Sequence, residues 1–194
     1  MERESESYSA LCVSSGSKGI EFITGLLPRA IFPTPVCKPT AAGARNALQS
    51  QTFDMVFINA PLCDDNAATL AVSAAKSGCL TMLFVKAEDY DTAAELTAAS
   101  GVFTVSKPNP LQFYRQVVAL FLAAKRHEQA AASKIEALET KLDEIRIINR
   151  AKLVLIQYLK MDETKAHRYI EKQAMDRRVT RSEVAQSIIS TYEY

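Results

Sequence analysis

The run Asp54-Met55-Val56-Phe57-Ile58-Asn59 is apolar and closes on an amide, and Ser14-Ser15 follows a second apolar run, Tyr8–Val13. If both runs are parallel strands, Ser14, Ser15 and Asn59 gather at their carboxyl ends, where ligand chemistry occurs in open α/β sheets. The chemistry available there is narrow. A hard divalent cation wants charged oxygen ligands, and two hydroxyls and an amide supply none. Nor can an amide accept a phosphoryl group as an acyl phosphate, because its nitrogen lone pair is delocalised and no carboxylate nucleophile exists. Lys86 and Lys107, ending two later apolar runs, bring cations to the same edge and no nucleophile. Asp64 and Asp65 follow soon after Asn59 and are expected as N-cap residues of the next helix.

A second group of residues is basic. Lys165, Arg168 and Lys172 are three and four apart and share one helix face, and Arg177, Arg178 and Arg181 cluster just beyond. With Lys152 they could track phosphates, while arginine planes and Tyr169 could stack on unpaired bases. The same stripe also fits a solvated helix face, and Tyr169 a core aromatic. The formal net charge of the chain is only +1, yet residues 146–181 hold 10 Lys/Arg against 4 Asp/Glu. This local excess permits an anionic partner.

Other chemistry is thinly supplied. Cys12, Cys37, Cys63 and Cys79 are widely spaced with no nearby His, so they are expected as small core residues in a reducing compartment, not as metal ligands. His127 and His167 stand near no nucleophile, and no Gly-rich phosphate loop occurs. No catalytic residue, metal or cofactor is expected. Met1–Glu4 is acidic and unlike a signal peptide, and no apolar run approaches spanning length, so a cytoplasmic protein without membrane contact is expected.

The elements that must position these residues follow from periodicity. Tyr8–Val13, Ala30–Phe32, Phe53–Ile58, Leu80–Val85 and Val102–Val105 read as strands, with helices over Lys18–Leu27, Thr40–Ser50, Asp64–Lys76 and Asp89–Ser100. MVFI and TMLFV are too continuously apolar for a sheet with one wet face, which implies a flavodoxin-like, doubly wound parallel sheet. Beyond Pro110 there is no Gly or Pro, and one helix is expected from Asn109 to about Lys160. Along it Ile135, Leu138, Leu142, Ile145 and Asn149 alternate spacings of three and four, the seam of a short parallel coiled coil with Asn149 at an a position. A long amphipathic helix lying on its own α/β domain remains the alternative. Asp162 is expected to cap a further helix whose apolar side is Ala166, Tyr169, Ile170, Gln173 and Ala174. Thr180-Arg181-Ser182-Glu183 is a capping box for the last helix, flanked by Val179 and Val184.

The first domain resembles response-regulator receiver domains over about 120 residues. Lys107-Pro108 matches that family's Lys-Pro motif. Ser14 and Ser15 stand where the family carries acidic metal ligands, Asn59 where it carries the phosphoacceptor Asp, and Lys86 where it carries a switching Ser or Thr. The segment from Asn149 resembles the ANTAR output domain through Ala151-Lys152, Leu155, Ala166, Tyr169, Ala174-Met175 and Ala185. These resemblances imply a phosphorylation-independent, receiver-like domain (1–124), a coiled-coil linker helix (125–148) and an all-α three-helix RNA-binding domain (149–194). They imply a homodimer that binds structured RNA leader hairpins in transcription antitermination, with room for a regulatory protein partner. The alternative is a signal-relay module whose helical end docks a partner protein.

Overall fold

The computed structural model describes residues 7–192, so Met1–Glu4 lies outside the described residues. The chain divides at Lys125/Arg126 into two compact units.

The first unit runs β1 (Ala10–Val13), α1 (Ser17–Leu26), β2 (Val36–Lys38), α2 (Ala41–Ser50), β3 (Met55–Asn59), α3 (Ala67–Lys76), β4 (Leu80–Lys86), a 3₁₀ turn (Ala87–Asp89), α4 (Tyr90–Ala98) and β5 (Phe103–Lys107), then enters α5 (Leu111–Leu159). All strand pairs are parallel, in the order β2-β1-β3-β4-β5, the expected doubly wound sheet. Helices on both faces explain the continuous apolar strands. Val56 and Ile58 enter a core with Ala44 of α2 and Leu70 of α3. Met55 and Phe57 enter the opposite core with Ile23 of α1 and Phe121 of α5.

One strand lies elsewhere than expected. Ala30–Phe32 forms a turn in which the Ile31 and Phe32 amides donate to the Pro28 carbonyl, and Phe32 drops into the core. The second strand is Val36–Lys38, at the sheet edge. Pro33, Pro35 and Pro39 surround it and lack donors, and an edge strand needs only one paired side, so a short, half-buried run suffices.

The two aspartates after β3 are not caps of α3 either. Asn66 is that cap, its side-chain oxygen accepting from Ala68 N–H at 2.9 Å. Asp64 reaches across to α2, accepting from the Ala41 and Ala42 amides at 2.8 and 2.9 Å, while the Thr40 hydroxyl accepts from Gly43 at 3.1 Å. Three otherwise orphaned amides of the first turn of α2 are thereby satisfied. Asp65 pairs with Arg45 of α2.

The second unit contains the remainder of α5, then α6 (Glu163–Arg177) and α7 (Arg181–Tyr192). Its core is Ala151, Val154 and Leu155 against Ala166, Ile170 and Ala174 and against Val184, Ala185 and Ile188. The alanines let α5, α6 and α7 approach closely. Asp162 caps α6, accepting from Lys165 N–H at 2.8 Å. At α7 the Thr180 amide donates to Glu183 Oε2 at 2.8 Å while the Thr180 hydroxyl accepts from Glu183 N–H at 3.2 Å, a closed capping box. Among the described residues no helix is long and apolar enough to cross a membrane.

Candidate functional site

At the carboxyl edge of the sheet, Ser14, Asn59 and Lys107 form one hydrogen-bonded chain. Asn59 Nδ2 donates to Ser14 Oγ at 3.0 Å, and Lys107 Nζ donates to Asn59 Oδ1 and, at 2.7 Å, to the Ala60 carbonyl. Both ends of the Asn59 amide are thus engaged internally. Desolvation, with a smaller contribution from the neighbouring Lys86 charge, pushes the Lys107 pKa down. Lys86 is the strand partner of Lys107, but its ammonium turns to Glu88 at 2.9 Å. Ser15 Oγ accepts from the Cys63 amide at 2.8 Å, tying the loop after β3 to the end of β1.

Gly19 of α1 closes this cluster. A Cβ there would collide with Ser14 Oγ and Asn59 Nδ2 and stand 3.0 Å from Ser14 Cβ. The helix therefore sits directly on the serine–amide pair. The cluster offers hydroxyl, amide and ammonium groups already bonded to one another, and neither a carboxylate nucleophile nor an anionic metal ligand among its members. Neither Gly19 nor the reach of Asp64 to α2 was foreseen, since both depend on how non-adjacent elements meet.

In the second unit the basic residues separate into two sets. Lys152 pairs with Glu163 at 3.0 Å and its side chain is only 17% exposed. Lys165 pairs with Asp162 at 3.1 Å, and Arg181 lies 3.6 Å from Glu171, which also meets His167 at 3.3 Å. Arg168, Lys172, Arg177 and Arg178 are exposed and have no ion-pair partner among the described residues. Arg168 and Lys172 lie on the side of α6 away from buried Ala166, Ile170 and Ala174, with Tyr169 on the flank between. Tyr169 is 37% exposed and so stands at the edge of the core, not within it.

Arg178 carries a backbone signal as well. It ends α6 in the left-handed conformation, at φ 56° and ψ 42°, with its amide donating to the Ala174 and Met175 carbonyls. Glycine is the residue that takes this position without a Cβ penalty. Upstream on α5, Ile135, Leu138, Leu142 and Ile145 are 53–57% exposed, and Asn149 is exposed beside them.

The family model of the ANTAR domain matches residues 136–189. The match lies wholly within the second unit. The match takes in every expected RNA-contact residue from Lys152 to Arg181, and begins on α5 one residue after Ile135. Comparison with curated proteins gives no match.

Solved structures similar to this chain include receiver domains. The signal receiver domain of an HD domain-containing protein from Pseudomonas fluorescens Pf-5 has a TM-score of 0.57 at 19% identity, covering 67% of this chain and 97% of that one. A two-component response regulator from Clostridium difficile has a TM-score of 0.51 at 17% identity, covering 60% and 96%. A CheY-like response regulator receiver domain protein from Methanospirillum hungatei JF-1 has a TM-score of 0.54 at 14% identity, covering 63% and 99%. At these identities the likeness concerns the fold. A receiver-like fold thus precedes the stretch that matches the ANTAR domain model.

Proposed function

We propose that this chain is an RNA-binding antitermination regulator, acting in the cytoplasm as a dimer on paired RNA hairpins, independently of phosphorylation and without enzymatic activity. The observation that carries the reading is the ANTAR domain at 136–189, with Arg168, Lys172, Arg177 and Arg178 exposed and unpaired among the described residues. Cations not held by carboxylates can meet phosphate without first breaking an ion pair. The engaged state of Ser14, Asn59 and Lys107 supports the independence from phosphate. Pairing of α5 with a second copy through Ile135, Leu138, Leu142, Ile145 and Asn149 would hold two ANTAR domains together, so that two hairpins bind with avidity.

Binding of a two-hairpin RNA, against the same strand with its loop bases replaced, tests this across a range of salt. The paired-hairpin RNA should bind more tightly. Arg177→Ala with Arg178→Ala should weaken it and flatten the salt dependence, each lost phosphate contact lowering the slope by about one. Lys76→Ala, a charge change on α3, should do neither. Equal affinity for the two RNAs would instead favour the protein-docking reading. The observation on that side is the exposure of Leu153 (65%) and Met175 (74%) in the second unit.

A further inference from the structure

Cys12 and Cys37 are direct strand partners at the β1–β2 edge of the first unit. Residues paired in this way in a parallel sheet project to the same face, and adjacent strands lie about 4.8 Å apart. That spacing falls within the roughly 4.4–6.8 Å Cα separation that a disulfide spans. The two thiols differ in environment. Cys12 is fully buried among Tyr8, Ile23 and Phe57, whereas Cys37 is exposed on the edge strand, its thiol directed to the Pro35 carbonyl at 3.8 Å. Burial, and then the charge and hydrogen bond of Cys37, push the Cys12 thiol far up, and exposed Cys37 is the sulfur that a solute can reach. Cys63 and Cys79 have no comparable partner: Cys63 is exposed in the loop after β3, and Cys79 is buried at the start of β4.

We propose that Cys12 and Cys37 are a peroxide-responsive dithiol, with exposed Cys37 as the attacking sulfur and buried Cys12 as the resolving one. The thiolate of Cys37 attacks one oxygen of a hydroperoxide; the O–O bond breaks, the sulfur becomes a sulfenic acid, and hydroxide (or alkoxide) leaves. The Cys12 sulfur then displaces the sulfenic hydroxyl as its own proton passes to that oxygen, forming the S–S bond and releasing water. In sum two thiols and one hydrogen peroxide give a disulfide and two waters. The product ties the edge strand β2, which leads into α2, covalently to β1, which leads into Ser14 and Ser15. This goes beyond the RNA-binding reading and does not depend on it.

The test uses the full chain and dilute hydrogen peroxide, read by intact mass and by peptide mapping without reductant. The expected result is loss of two hydrogens, mapped to a Cys12–Cys37 link and reversed by dithiothreitol. Cys63→Ser should form the same link, and Cys37→Ser should not. Cys12→Ala, if it folds by circular dichroism, should accumulate a sulfenic acid at Cys37 that dimedone captures. Folding of Cys12→Ala is not required, because Cys37→Ser alters only an exposed side chain. Oxygen addition to Cys37 with Cys12 remaining a free thiol, linkage through Cys63, or no reaction at Cys37 while Cys63 oxidises would each overturn the proposal.

Discussion

Lys107 donates a hydrogen bond to the side-chain carbonyl of Asn59, so an internal ammonium holds the amide that ends β3. Two consequences are expected. The wild-type chain should gain no phosphoryl group from acetyl phosphate and Mg²⁺, as judged by intact mass. Asn59→Asp should also stay unmodified, because Ser14 and Ser15 still supply no charged metal ligands and Lys107 would bind the new carboxylate tightly. A mass increase of one phosphoryl group in either protein would contradict this account of the site.

Asp64 gives the first unit an acid-sensitive fastening. Hydrogen bonds from the Ala42 and Ala41 amides hold its carboxyl below the usual carboxylate range. A carboxyl with a depressed folded pKa stabilises the fold above its unfolded pKa, and that stability is lost as pH falls through the folded value. Asp64→Ala should therefore lower Tm at neutral pH. The gap to wild type should begin to narrow near pH 4, the ordinary aspartate range, and close further below it. Thermal melts at stepped pH decide it; a gap that does not change with pH would mean that the carboxylate is not the cap.

What was readable in the sequence divides along physical lines. Continuous apolar strands and local caps were legible because each is specified by neighbours in the chain: MVFI inside β3, Asp162 at α6, and Thr180 with Glu183 at α7. The position of β2 is not legible, because an edge strand among prolines carries little apolar signal. The role of Asp64 is not legible, because its partners, Ala41 and Ala42, are more than twenty positions away and local rules point to the nearest helix. The basic set was legible by type and spacing. Which members are free was not, since the pairing of Lys152 with Glu163 depends on how α5 meets α6. Tyr169 falls on the apolar side by spacing, yet it is 37% exposed and outside the three-helix core.

The exposed row Ile135, Leu138, Leu142 and Ile145 makes a definite demand on oligomeric state. If it is a coiled-coil seam, light scattering should give a dimer, and Leu142→Glu should give a monomer with its two units still folded. Asn149→Leu should raise stability while loosening register or stoichiometry, because an a-position Asn specifies both at a stability cost. A wild-type monomer at high concentration would remove the seam.

Arg178 offers the sharpest separation of folding from recognition. Its left-handed backbone, at φ 56°, costs an L-residue about 1 kcal/mol that glycine avoids. Arg178→Gly keeps the amide that closes α6 onto the Ala174 and Met175 carbonyls, so the cap itself survives. Urea denaturation should show an unchanged or higher midpoint, the gain limited to about 1 kcal/mol by the extra freedom of glycine in the unfolded chain. If the guanidinium meets phosphate, the same variant should bind the two-hairpin RNA more weakly, with a salt slope lower by about one. Arg178→Lys keeps the charge and loses the planar fork. Its affinity should fall between the two if a bidentate contact is made, and match wild type if only charge matters. A glycine variant that is less stable, or one that binds RNA as tightly as wild type, would mean that the side chain at this strained position serves the fold instead of the ligand.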